Sequence, residues 1–203
     1  MLKFILNQTI NHNRDDILMI IIDNFLESYE ELKEKSINGQ FEDIKNPADG
    51  VTYPLICADI PESVNGEIQE RLETIFHKVS INYIFMRKSP QGVPVPHMAH
   101  TDNSMGDFSL MLYLNDHPEG GTGLIRHRRT GMAFAPEDEE FISIAHHDQN
   151  NPDQWALYDR SVMKENRAAI FDAHLFHCAL PVGGFGHGDE SRCVLTAFFS
   201  VIK

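Results

Sequence analysis

The spacing of hydrophobic positions along this chain changes near residue 80, and the change predicts two kinds of structure. Before it, apolar residues recur every three or four positions in two segments, which predicts helices at 25–37 and 62–79. The apolar run at 16–22 is rich in β-branched residues and predicts a buried strand. The mixed region 39–60 between the two helices is interrupted by proline and glycine, so we expect a loop there.

From residue 81 onward, short apolar runs alternate with turn residues, which predicts a succession of strands. The predicted strands are 81–87, 95–102, 108–115, 123–128, 168–172, 175–180 and 192–202. We expect a tight turn at 119–122 and an acidic, polar insertion at 135–160. Two helices followed by many strands, without βαβ alternation, predict a mainly β protein: an all-β sandwich or jelly roll with N-terminal supporting helices.

Length, charge and cysteine content limit the class of protein. At 203 residues we expect one domain over 1–203, with 1–80 as helical support and 81–203 as the jelly-roll core. A net charge of −13 disfavours general binding to nucleic acid. The three cysteines show no Cys-x-x-Cys spacing, as expected in a reducing compartment. We find neither a signal peptide nor a membrane-length apolar run, and therefore expect a cytoplasmic protein that does not bind membranes. The oligomeric state does not follow from these patterns.

The first candidate for chemistry is the pair His100 and Asp102. On a strand, residues two apart point to the same face, so this imidazole and this carboxylate can aim at one point. A third ligand from another strand would complete the two-histidine, one-carboxylate set that non-haem Fe(II) oxygenases use. His177, in an apolar strand ended by proline, is favoured over His174, whose flanking residues are typical of a turn.

Arg192 is the second candidate, because it begins the last apolar strand. An arginine that points inward from such a strand needs an anionic partner, and its planar fork suits a carboxylate. An arginine that faces solvent at a strand end is the alternative.

These residues occur in an order that resembles the Fe(II)/2-oxoglutarate-dependent dioxygenases, and within them the prolyl-hydroxylase-like branch. The similarity covers about residues 80–203. Its motifs are His100-x-Asp102, Leu112-Tyr-Leu-Asn115, Glu119-Gly-Gly-Thr122, Asn166 to Asp172, Leu175-Phe-His177-x-x-x-Pro181-Val and Arg192. The resemblance implies a double-stranded β-helix, with iron held by His100, Asp102 and His177. It also implies that Arg192 pairs with the distal carboxylate of 2-oxoglutarate, and that O2 is the oxidant.

Two positions depart from that family. Val194 stands where many members have a serine, and Leu112 stands at the position that we match to a co-substrate tyrosine in some hydroxylases. The missing hydroxyl or amide is then expected from other cofactor-binding residues. The candidates are Tyr83, Asn115 and Thr196.

The resemblance implies a 2-oxoglutarate-dependent oxygenase that hydroxylates a peptidyl residue, an amino acid or a small metabolite. One alternative is a non-catalytic β-sandwich that binds a metal or a small acid as a sensor. Another is a zinc hydrolase with the same ligands, although the chain contains no His-Glu-x-x-His segment.

Overall fold

The computed structural model describes residues 19–45 and 50–202. The described residues contain three α-helices and ten β-strands in chain order. The helices are α1 (Tyr29–Asn38), α2 (Glu62–Phe76) and α3 (Glu139–Asp148). The strands are β1 (Ile20–Asp23), β2 (Glu42–Lys45), β3 (Thr52–Cys57), β4 (Val79–Ser89), β5 (Phe108–Tyr113), β6 (His117–His127), β7 (Trp155–Met163), β8 (Arg167–Asp172), β9 (His177–Leu180) and β10 (Arg192–Val201). None of the described helices is long and apolar enough to cross a membrane.

The strands form two antiparallel sheets. The large sheet has seven strands in the order β1-β8-β5-β10-β4-β3-β2, and the small sheet has three in the order β7-β6-β9. The strands from β5 to β10 are divided between the two sheets. This arrangement is the jelly roll that the sequence predicts.

The outer face of the large sheet is covered by α1 and α2. Leu32 of α1 and Ile68 and Leu72 of α2 are fully buried against alternate strand residues such as Leu110 and Leu195. Residues two apart on a strand share a face, so the residues between them point the other way. The predicted supporting helices therefore lie on the outer face and leave the inner face free for the site.

The inner face of the large sheet packs against the small sheet. Tyr113 and Val194 from the large sheet and Leu124 and Met163 from the small sheet belong to one buried cluster. Two polar contacts also join the sheets here: Tyr113 Oη donates to Thr122 Oγ1 at 3.1 Å, and Arg192 Nη2 donates to the Gly121 carbonyl at 3.0 Å. The space between the sheets is thus where polar side chains can meet away from water.

Several sequence predictions differ from the structure. Helix α2 ends at Phe76 rather than 79, because His77 adopts φ +71° and Val79 already begins β4. The region 39–60 contains β2 and β3, not only loop; β2 is an exposed edge strand, so it shows no hydrophobic alternation. The strand predicted at 16–22 lies partly outside the described residues, and the structure begins β1 at Ile20.

The expected insertion at 135–160 contains regular structure. Asp138 caps α3 by accepting hydrogen bonds from the backbone N–H groups of Glu140 and Phe141, and Trp155 then begins β7. The expected turn at 119–122 lies inside β6, where the register with β7 shifts. Gly121 allows this shift: its φ is +145°, and a Cβ there would come within 1.8 Å of the Ser161 carbonyl oxygen.

Candidate metal centre

His100 and His177 are joined by backbone hydrogen bonds. The segment 95–102 is not the predicted strand, because Pro96 has no N–H to donate and only His100 pairs, in an isolated bridge with His177. His100 N donates to the His177 carbonyl at 3.2 Å, and His177 N donates to the His100 carbonyl at 2.9 Å. The two imidazole rings are 4.3 Å apart between centroids. One backbone bridge thus fixes both rings side by side.

Asp102 reaches the same point from the loop that follows His100. Its backbone N–H donates to the Ala173 carbonyl at 2.8 Å, which ties this loop to the residues just before β9. The candidate ligand atoms of His100, Asp102 and His177 all lie within 4.8 Å of one another. The structure therefore brings the three predicted ligands together.

The hydrogen bonds of the two imidazoles suit a metal. Nδ1 of His177 lies 3.0 Å from the Leu175 carbonyl, and Nδ1 of His100 makes a longer contact of 3.4 Å with the Met98 carbonyl. A carbonyl oxygen only accepts, so each Nδ1 carries a proton, and in the neutral ring Nε2 is left with a lone pair. The Nε2 atom of His177 is buried without a hydrogen bond although Asp102 Oδ2 lies 3.1 Å away.

A cation bound between the two Nε2 atoms and the Asp102 carboxylate would give the buried His177 Nε2 a partner. Nε2 of His100 lies 3.8 Å from the other carboxylate oxygen, Asp102 Oδ1, so two lone pairs face one carboxylate. The Ser109 hydroxyl donates to Asp102 Oδ2 at 2.8 Å and orients the carboxylate from behind. Two imidazole nitrogens and one carboxylate oxygen form a donor set that binds Fe(II), and the residues present fit such an ion.

The pKa values of Asp102 and His100 are both lowered, which favours the protonation states that bind a metal. Burial raises the pKa of Asp102, but His177, His100 and the Ser109 hydroxyl outweigh it and hold this pKa at about 2. Burial, together with the charge of His177, lowers the pKa of His100 to about 4. Burial also lowers the pKa of His177, but the adjacent Asp102 carboxylate outweighs it, and the net shift is upward. The carboxylate is therefore ionised at neutral pH and His100 is neutral, as metal binding requires.

His174, the rejected alternative, lies apart from this group. Its side chain is half-exposed, and its Nδ1 lies 2.9 Å from Asp172 Oδ1. The structure accounts for His174 through this contact and brings His177 to the candidate centre instead.

Arg192 points into the space between the sheets. The residue is only 4% exposed, and its Nη2 is held by the Gly121 carbonyl. Its Nε is buried without a hydrogen-bond partner among the described residues. Burial lowers the pKa of Arg192. A buried guanidinium with a free donor is costly unless an anion binds to it, and its planar fork suits a carboxylate.

The three predicted helper residues have different surroundings. Tyr83 is 53% exposed. Asn115 donates to the Ser191 carbonyl at 3.0 Å and accepts from the Cys193 N–H at 3.1 Å, so its amide fixes the backbone on both sides of Arg192. Thr196 is buried on the inner face, and its hydroxyl lies 3.4 Å from Met111 Sδ.

Sequence reasoning did not single out Tyr113, which lies near Arg192. Tyr113 is fully buried on the inner face, opposite Val194, and its hydroxyl donates to Thr122. Burial raises the pKa of Tyr113, so its hydroxyl stays protonated and can donate. The available signal was a tyrosine within the apolar strand ending in Leu112-Tyr-Leu. It was overlooked because the family's tyrosine was sought one position earlier, at Leu112.

Several solved structures share this fold at low sequence identity. The non-haem α-ketoglutarate-dependent epimerase SnoN of nogalamycin biosynthesis has a TM-score of 0.55 and 12% identity, covering 89% of this chain and 75% of its own. EvdO2 from Micromonospora carbonacea var. aurantiaca, complexed with 2-oxoglutarate, has a TM-score of 0.52 and 16% identity, covering 95% and 91%. The viral collagen prolyl hydroxylase vCPH from Paramecium bursaria Chlorella virus-1 has a TM-score of 0.52 and 12% identity, covering 91% and 90%. These likenesses confirm the predicted double-stranded β-helix fold.

Sequence comparison gives a separate result. A search among curated proteins finds no match to this sequence. The profile of DUF6445, described as a family of unknown function, matches residues 5–181. The matched residues make up most of the chain, and the protein therefore belongs to the DUF6445 family.

Proposed function

We propose that this protein is an Fe(II)- and 2-oxoglutarate-dependent dioxygenase. The observation that carries the proposal is the convergence of His100, Asp102 and His177 on one point, with two imidazole Nε2 atoms facing one carboxylate. The fold supports it, because SnoN has been crystallised in complex with Fe3+ and α-ketoglutarate, and EvdO2 with 2-oxoglutarate. Fe(II) bound here would supply O2-dependent oxidation of a substrate C–H bond, coupled to decarboxylation of 2-oxoglutarate to succinate.

The protein's part in this chemistry is to hold and orient. His100, Asp102 and His177 would hold the metal through three positions and leave the others for 2-oxoglutarate and O2. The Leu175 carbonyl and the Ser109 hydroxyl orient His177 and Asp102, so the ligand set is formed before the metal arrives. Asp102 and His177 are buried, which shields these two ligands from bulk water, whereas the side chain of His100 is 36% exposed.

Arg192 would pair with the distal carboxylate of 2-oxoglutarate. Its burial, its unpartnered Nε and its fixed Nη2 support this role. The Tyr113 hydroxyl and Thr122, which join the sheets beside Arg192, are well placed to add neutral hydrogen bonds. Thr196 remains a candidate for contact with the co-substrate on the same face. Asn115 would act by positioning Arg192, whereas the role of Tyr83, which is 53% exposed, stays a prediction from the resemblance.

The substrate class and the cellular setting belong to the same proposal. Hydroxylation of a peptidyl residue, an amino acid or a small metabolite is the reaction we propose, and the likeness to vCPH supports the prolyl-hydroxylase-like branch. We propose one oxygenase domain over 1–203. A cytoplasmic location is supported by three cysteines that are all buried and unpaired.

Formation of succinate tests this function. The purified protein would be loaded with Fe(II) and incubated with 2-oxoglutarate and O2, and succinate measured by proton NMR. We expect slow succinate formation that needs both Fe(II) and O2 and that is lost in His177→Ala. The matched control is His174→Ala, which removes a histidine three residues away and should keep the activity.

Two other outcomes would support the alternatives. A protein that binds Fe(II) and 2-oxoglutarate but forms no succinate with any C–H donor tried would be a binding module. A protein that needs zinc and hydrolyses its substrate without consuming 2-oxoglutarate would be a hydrolase.

A further inference from the structure

A second arginine, Arg87, faces the space between the sheets. Arg87 lies on β4 directly opposite Val194 of β10, and residues paired in this way share a face. Val194 belongs to the buried cluster between the sheets. Met86, the neighbour of Arg87 on β4, packs instead in the outer core beneath the helices. Arg87 is therefore an inner-face residue, as Arg192 is.

Arg87 and Arg192 share an unusual state. In the part of the chain that the structure describes, the Nε atom of each of these two arginines is buried and has no hydrogen-bond partner. Neither forms an ion pair with a carboxylate in the part of the chain that the structure describes, whereas Arg167 pairs with Asp23. Burial lowers the pKa of both, and the charge of Arg87 adds to the downward shift of Arg192. Two cations that lie close together on one face, without an anion, raise the energy of the empty protein.

The two guanidinium groups lie against different strands. The Arg87 guanidinium carbon lies 5.8 Å from the ring centroid of Tyr53, on β3. Nη2 of Arg192 lies against Gly121 on β6, in the opposite sheet. Arg87 pairs with Val194 from the β4 side and Tyr113 pairs with it from the β5 side, so Arg87 lies on the side of Val194 that is nearer β3.

We propose that Arg87 binds an oxyanion of the primary substrate, so that the substrate of this enzyme carries a carboxylate or phosphate group. The inference rests on the proposed function in one respect only, that 2-oxoglutarate occupies Arg192. A planar guanidinium with free donors matches a carboxylate or a phosphate oxygen pair. An anion held at Arg87 would lie on the same inner face as Arg192, nearer β3, without competing for Arg192.

Unfolding temperature separates a binding residue from a structural one. We expect Arg87→Gln, without metal or anions, to melt at the same temperature as the wild type or higher, because it removes a partly buried charge that has no carboxylate partner among the described residues. The matched control is Arg167→Gln, which breaks the ion pair with Asp23 and should melt lower. A clear fall in the melting temperature of Arg87→Gln would overturn the proposal in favour of a structural role.

Anion binding gives the direct test. Inorganic phosphate and acetate would each be titrated by calorimetry, at constant ionic strength, into metal-free Arg192→Gln and into Arg192→Gln/Arg87→Gln. We expect the second variant to bind the preferred anion about tenfold more weakly or worse, since a charge-assisted pair is lost. Tighter binding of phosphate would indicate a phosphate-bearing substrate, and tighter binding of acetate a carboxylate-bearing one. Equal binding by the two variants would overturn the proposal.

A third titration keeps this inference separate from the proposed function. Under anaerobic conditions, 2-oxoglutarate would be titrated into the Fe(II)-loaded wild type and into Arg87→Gln, with the visible metal-to-ligand band as the readout. We expect similar affinities. A tenfold weaker affinity in Arg87→Gln would assign Arg87 to the co-substrate and refute the substrate role. If the wild type shows no band while phosphate or acetate binding still depends on Arg87, the proposed function fails and the anion site stands.

Discussion

Replacing Arg192 with glutamine removes one charge and the planar fork from a place that is shielded from water. The side chain is 4% exposed, and the Gly121 carbonyl holds its Nη2 at 3.0 Å, so the guanidinium is already positioned for a carboxylate. Truncating one partner of a buried, hydrogen-bonded charge pair costs about 2–5 kcal/mol. Taking about 3 kcal/mol from this range, we expect Arg192→Gln to bind 2-oxoglutarate ~100-fold more weakly than the wild type.

Calorimetric titration of 2-oxoglutarate into the anaerobic Fe(II) protein measures this loss. Arg192→Lys is the matched control: it keeps the charge but not the fork, and should bind about tenfold more weakly than the wild type. The unfolding free energy of Arg192→Gln in urea should equal or exceed that of the wild type, which separates lost binding from lost folding. An affinity within about twofold of the wild type in Arg192→Gln would refute the role that we give this arginine.

Three further changes test the site and the core. Ser109→Ala removes the hydroxyl that orients Asp102 and should weaken Fe(II) binding about tenfold, as measured by anaerobic competition with a chelator. Fe(II) affinity should fall as the pH drops: the pKa of His177 is raised, so protons begin to compete with the metal at a higher pH than for an ordinary histidine, and a pH-independent affinity would contradict this. Leu32→Ala empties a fully buried position of α1 and should cost about 2–5 kcal/mol in urea denaturation, while Fe(II) affinity stays unchanged.

The sequence could predict the strands whose two faces are both buried. β5 and β10 lie inside the large sheet, with helices on one face and the small sheet on the other. Their apolar runs are continuous, and the predicted and observed bounds agree closely. By contrast, β2 and β7 are edge strands with exposed residues, and an exposed strand has no hydrophobic pattern by which to be recognised.

The ligand trio could be proposed from spacing, but for a reason that the structure revises. His100 and Asp102 were expected to share one face of a strand, yet only His100 pairs, and Asp102 lies in a loop held by the Ala173 carbonyl. The two side chains converge because the bridge to His177 and this loop contact place them together. Such a contact joins residues that are far apart in the chain, so the pattern of either segment alone does not reveal it.

The inward direction of Tyr113 and Arg87 could not be predicted from the spacing of residues in the sequence. Tyr113 lies in an apolar strand and Arg87 stands beside Lys88 near the end of β4, and the sequence alone does not show whether either side chain points inward or outward. The register with β10 places both opposite Val194, from strands on either side of it. Register depends on the pairing of distant segments, so the inward direction of these two side chains becomes visible only in the folded chain.

The visible spectrum of the anaerobic protein, recorded after addition of Fe(II) and then 2-oxoglutarate, tests the oxygenase assignment directly. We expect a metal-to-ligand charge-transfer band that appears only when both are present. We also expect His177→Ala to abolish the band and His174→Ala to retain it. A wild-type protein that binds Fe(II) at this centre but develops no band with 2-oxoglutarate would contradict the assignment as a 2-oxoglutarate-dependent oxygenase.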